Sequence, residues 1–298
     1  MKKFLIILSF LILLTGCGKK TGDYDSVKID DSLEGVKHEY NFNFTQEEFK
    51  RIDGDIIFNN LAERVINSML DIDNGNEIIK LSNSNDAIER VKKGEKDLAL
   101  VTEVSDEKLG TELEKVPFLF DGFVFFTDKG NKVDSLTEDQ IKQIYSGGVV
   151  NWNAVGGDDI KLTALQKKDG TRAKNYLIKF MGGAPIMASA KQYYINASGQ
   201  NVERPERLNL LKGDISFSFY YYTNQALVTD GMKILKLNGV EPNRDTIRSK
   251  KYPLRVEYYA VVRKSDEDDS LGKRFRALYL TESVQRLATS LGYVGVKK

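Results

Sequence analysis

Short unbroken apolar runs alternate along this chain with stretches where apolar residues recur every three or four positions. These are the signatures of buried strand and amphipathic helix. Leu61, Val65, Ile66 and Met69 share one face and predict a helix over residues 61–70. A short strand is expected at 78–81, then a helix over 86–93 stopped by Gly94. Leu98-Ala99-Leu100-Val101 predicts a buried strand, and the long run 118–127 predicts another. Further strands are expected at 162–165, in the aromatic run 217–222 and at 258–262. Residues 271–291 read as helix with a break near Thr281.

Polar residues mark where the helices start and stop. Thr137-Glu138-Asp139-Gln140 is a capping box, with Thr at the N-cap and acids on the positive end of the dipole. Ile141, Ile144 and Tyr145 give that helix its apolar face, and Gly147-Gly148 ends it. Thr45-Gln46-Glu47-Glu48 fits a second box, although 49–52 also reads as a first strand. Gly170-Thr171 opens a helix over 173–181 that stops at Gly182-Gly183. Strands alternating with helices predict an α/β class, and no internal repeat is present.

The first residues follow a different logic. Met1-Lys2-Lys3 is a basic start, residues 4–14 are apolar but short for a bilayer span, and Leu14-Thr15-Gly16-Cys17 follows. This resembles a bacterial lipoprotein leader, with 1–16 as signal peptide and Cys17 as the lipidated residue. A plain signal peptide with an incidental Cys is the other reading. Residues 17–37, rich in Gly, Lys, Asp and Ser, read as a flexible tether, with order beginning near His38. With one Cys in the chain, no internal disulfide can form.

Charge and chemistry narrow the function classes. Lys plus Arg total 44 against 43 Asp plus Glu, so no basic field exists to recruit nucleic acid. The only His is His38, beside the tether, which leaves no histidine-based nucleophile pair and no conventional zinc site. No Walker-type loop or Gly-x-Ser-x-Gly elbow appears, so no enzyme, metal or cofactor is predicted. Tyr220-Tyr221-Tyr222 could stack a ligand or serve as a half-buried strand, and the strand is favoured. Lys167-Lys168-Asp169-Gly170-Thr171-Arg172, running into a helix, has the form of an anion site at a helix start. On residue types alone it is equally an ordinary cap beside solvated lysines.

The order of motifs over 121–172 settles which reading to pursue. Asp121-Gly122-Phe123-Val124-Phe125-Phe126, the capped helix, Asn151-Trp152, Val155-Gly156-Gly157 and the basic Gly-Thr loop follow one another. Gly94-Glu95-Lys96-Asp97-Leu98, Thr102-Glu103, Gly239-Val240-Glu241-Pro242, Tyr252-Pro253-Leu254, Tyr258-Tyr259-Ala260-Val261 and Leu291-Gly292-Tyr293-Val294 keep the same order. Over residues 40–298 this resembles the PstS-like phosphate-binding proteins of bacterial ABC importers. The resemblance implies a two-lobed periplasmic-binding-protein fold of type II with two hinge-crossing strands, near 123–126 and 258–262. Lobe 1 would be 38–122 plus 258–298, and lobe 2 would be 123–257.

The resemblance also implies ligand contacts at Asp53, Gly54, Asp55, Thr102, Glu103, Lys167, Asp169, Gly170 and Thr171. It makes the chain a monomeric, lipid-anchored receptor outside the cell membrane, passing phosphate or a related oxyanion to a permease. At Asp55 a carboxylate replaces a hydroxyl of the family's first loop, Ile56 removes a second hydroxyl, and Lys167 stands where the second loop has Arg. Two alternatives follow: a lipoprotein that has lost phosphate and acts as a sensor or interaction module, or a receptor for an organic or zwitterionic ligand.

Overall fold

The apolar run at 118–127 lies inside a longer strand, and the architecture is organised around it. The computed structural model describes residues 42–188, 210, 212–223 and 231–297. Its strands are β1 (Ile52–Gly54), β2 (Leu98–Val101), β3 (Leu113–Asp128), β4 (Ser135–Leu136), β5 (Thr163–Ala164), β6 (Asp214–Phe219), β7 (Met232–Ile234), β8 (Lys236–Leu237), β9 (Arg255–Arg263) and β10 (Val294–Gly295). The first half of β3 pairs antiparallel with β9, which pairs with β2, which pairs parallel with β1. The second half, Phe123 to Asp128, pairs instead with β6 and β7. One strand thus serves two sheets, and the chain has the two-lobed α/β fold with strands crossing between the lobes.

The return crossing lies a few residues earlier than 258–262. Phe123 donates its N–H to the Leu254 carbonyl at 2.9 Å, and Arg255 already pairs with Gly122. Tyr259, Ala260 and Val261 pair with β2, inside the first lobe. The helices Leu271–Tyr279 and Glu282–Ser290 pack on β2, β9 and β10, and Thr281 caps the second of them.

Most helix limits follow their caps. Both capping boxes form, starting helices at Gln46–Phe49 and Glu138–Ser146, and Gly147 closes the latter in the left-handed region at φ 85°. Two expectations need correction. Residues 78–81 form no strand: Gly75 donates its N–H to Asn67 Oδ1 at 2.7 Å and starts the helical turn Gly75–Ile78. The aromatic strand ends at Phe219, and Tyr220–Tyr222 make a helical turn whose Tyr221 N–H donates to Asp121 Oδ1 at 3.0 Å. That bond takes the backbone out of the ladder, which an unbroken aromatic run does not reveal.

Aromatic packing fixes the second lobe's helix against its sheet. Phe123 lies within 4.8–5.6 Å, centroid to centroid, of Phe125, Tyr176, Phe217 and Phe219. Tyr176 belongs to the helix Arg172–Met181, so this cluster sets where that helix begins. Truncating Phe123 to Ala would cost about 3–5 kcal/mol. No helix among the described residues is long and apolar enough to cross a membrane.

Candidate functional site

Two helix starts and the crossing strands meet between the lobes. On the first lobe, β1 runs through Gly54 into Asp55, which N-caps the 3-10 turn Ile56–Phe58 leading into the helix Asn59–Leu70. Asp55 Oδ1 accepts from Ile57 N–H at 3.2 Å, and Oδ2 accepts from Ser84 Oγ at 3.1 Å. Ser84 Oγ in turn accepts from Thr102 N–H at 3.1 Å and lies 3.2 Å from Thr102 Oγ1. Asp55 forms no ion pair among the described residues.

The neighbouring residues of this loop are structural. The Asp53 carboxylate is wholly buried and accepts from Gly54 N–H, from Ser82 N–H and Oγ, and from Arg90 Nη1 at 2.7 Å. Gly54 passes so close to β2 that a Cβ would collide with the Leu100 carbonyl. The ligand contact expected of Asp53 and Gly54 therefore gives way to a supporting role, because their groups are committed to the first lobe's own core.

The second lobe supplies the cations. Thr171 caps the helix Arg172–Met181 by accepting from Lys174 N–H, while its hydroxyl donates to the Lys168 carbonyl at 2.8 Å. Asp169 and Gly170 are exposed, and Asp169 lies 3.9 Å from Lys174 Nζ. Lys167 is 7% exposed and has no hydrogen-bond or ion-pair partner among the described residues. Burial lowers its pKa from 10.5 to about 8. Glu103 is exposed and meets Lys179 of the second lobe at 3.9 Å.

Arg172 is the residue that ties these parts together. Its guanidinium carbon lies 3.7 Å from the Phe219 ring centroid and 5.1 Å from that of Tyr258. Nη2 donates to Tyr258 Oη at 3.1 Å, and Tyr258 donates to Asp121 Oδ2. Part of the residue reaches the surface, but Nε and Nη1 are buried without any hydrogen-bond partner. Burial opposes the charge of Arg172, yet facing Tyr258 and Asp121 outweigh it and hold the guanidinium protonated. Burial likewise pushes the Asp121 carboxyl up, partly offset by Tyr258, Arg172 and the N–H groups of Tyr221 and Gly122.

Tyrosines line the space between. Tyr221 stacks on Tyr293 of the first lobe at 4.1 Å, and Tyr293 donates to the Ile57 carbonyl in the turn that Asp55 caps. Burial pushes the Tyr222 hydroxyl up to about 12, and both Arg172 and Asp55 act on it electrostatically. The structure thus brings together Asp55, Thr102 and Arg172, with Lys167 buried in the loop leading to Arg172.

Sequence reasoning left Arg172 out of the contact set. The signal was present: a helix whose first turn holds Arg172 and Lys174 and no acid sets cations at its positive end. That arrangement is unfavourable unless an anion joins it.

Comparisons with known proteins agree with this geometry. The family model of the PBP superfamily domain matches residues 73–282. The phosphate-binding protein PstS of Borreliella burgdorferi is 24% identical over 65% of this chain and 70% of its own length. That of Bacillus subtilis is 25% identical over 55% of this chain, and the match spans about half of the relative, 51%. An ABC-type phosphate transport receptor from Vibrio cholerae superposes with a TM-score of 0.65 at 19% identity, covering 82% of this chain and 98% of that one. PstS from Borrelia burgdorferi superposes at 0.58 and 19% identity, covering 83% and 98%. At those identities the two structures speak to the fold alone. The family match extends over most of the chain and its curated relatives are solute-binding proteins of ABC importers, so the chain belongs to the PBP superfamily as a PstS-like member.

Proposed function

We propose that this protein is the solute receptor of an ABC importer and captures an oxyanion, phosphate or a related species, between its lobes. The observation that carries this reading is Arg172, whose Nε and Nη1 are buried without partners at the start of a helix lacking acids in its first turn. Two N–H groups left in that state cost about 1–3 kcal/mol each, and an oxyanion satisfies both along one edge of the guanidinium. Lys167 supports the reading as a second buried cation without a carboxylate partner. The function is binding, with no catalytic step. Cys17 would carry a lipid and hold the protein on the outer face of the cell membrane, beside the permease it serves. Titration calorimetry of the full chain with inorganic phosphate, sulfate and alkylphosphonates, repeated on Arg172→Met, tests the site. Binding that depends on Arg172 supports it; binding indifferent to Arg172 defeats it.

A further inference from the structure

The two charges facing the space between the lobes are opposite in sign, and neither is paired with the other. Arg172 leaves Nε and Nη1 without partners. Across from it, Asp55 has no ion-pair partner among the described residues. The Tyr222 hydroxyl makes no hydrogen bond among the described residues and feels both charges, so the two act on one region. Tyr176 of the second lobe feels Arg172 there as well.

A bare tetrahedral anion suits a site whose two halves both donate. Here the first half does not. The donors at its helix start, Ile57 N–H and Ser84 Oγ, are already committed to Asp55. The carboxylate therefore stands where an anion's second contact would be, and it has lone pairs left over. Such a group asks for a hydrogen-bond donor, best a cation. Between the two charges lie tyrosine rings, which suit a short carbon body and favour an ammonium over their faces.

Resting on the oxyanion site at Arg172, we infer that the preferred ligand is a small zwitterionic oxyanion, with its anionic group on Arg172 and an ammonium group on Asp55. Asp55 is then the residue that sets specificity against inorganic phosphate.

The test compares inorganic phosphate, methylphosphonate and the one-, two- and three-carbon aminoalkylphosphonates by calorimetry on the full chain. Wild type, Asp55→Asn and Arg172→Met are each titrated. Asn caps a helix as well as Asp does, so Asp55→Asn keeps the local fold. The expected result is that one aminoalkylphosphonate binds wild type about tenfold or more tighter than methylphosphonate and phosphate, an increment of about 1.4 kcal/mol. Asp55→Asn should erase that advantage and strengthen phosphate, while Arg172→Met weakens every probe. If phosphate or methylphosphonate binds as tightly as the whole amino series, and Arg172→Met still abolishes binding, the zwitterion inference falls and the oxyanion site stands. If no probe binds, or Arg172→Met changes nothing, the oxyanion site falls and the inference falls with it.

Discussion

Replacing Arg172 with Met separates a ligand group from a structural one, because the two roles predict opposite patterns of binding and stability. The substitution keeps an unbranched side chain against Phe219 and Tyr258 but removes the charge. A unit charge about 4 Å from a bound anion is worth about 4 kcal/mol at an effective dielectric of 20. Anion affinity should therefore fall by roughly three decades. Stability follows a different sum. The charged hydrogen bond from Nη2 to Tyr258 is lost, at about 1.5–3 kcal/mol, with a further loss of about 0.5–2 kcal/mol for the cation over the ring. Against this, two buried N–H groups without partners disappear, each returning about 1–3 kcal/mol. The net change in folding free energy should stay within about 2 kcal/mol of zero, of either sign. Trp152, the only tryptophan and 1% exposed, reports unfolding in urea by its fluorescence, and calorimetry reports binding. A variant that loses more than about 3 kcal/mol of stability while binding anions as before would refute the reasoning and make Arg172 a core residue.

Lys167→Met tests the other buried cation. The folded pKa of about 8 lies below 10.5, so the unfolded chain binds more protons between those values and stability should rise with pH across that window by about 3 kcal/mol. Denaturation midpoints across pH 7–11 should show that rise in wild type and a flat profile in the variant, which gains a similar amount at pH 7 if no anion is bound. Asp53→Ala should destabilise the first lobe by about 2–4 kcal/mol, because Arg90 and Ser82 lose their shared acceptor, while ligand preference by calorimetry stays unchanged. Cys17→Ser should move the protein from the membrane fraction to the soluble fraction or leave it uncleaved, as read by fractionation and mass; processing and anchoring like wild type would dismiss the lipoprotein reading.

Local chemistry was enough to place most elements. A Thr with a Gln or Glu three residues on starts a helix wherever the backbone is free to turn, so the boxes at Thr45 and Thr137 were legible. Glycines with positive φ at Gly94, Gly147 and Gly182 ended helices for the same local reason. The run around β3 was legible as strand because nothing polar interrupts it, and the order of motifs identified the family and, through it, the two-lobed class.

Only the tertiary structure decided the rest, because the deciding partners are far apart in sequence. Tyr221 leaves the sheet for Asp121, one hundred residues away, so an aromatic run became strand and then turn. Asp53 and Asp55 stand two residues apart with the same side chain. One is sealed by Arg90 and Ser82 in the first lobe's core, while the other faces the space between the lobes with no cation of its own. Arg172 gains its role from Tyr258, 86 residues on, and from having nothing to meet Nε and Nη1. A residue type names the charge; burial and the partners that folding supplies, or withholds, decide whether that charge holds the protein together or waits for a ligand.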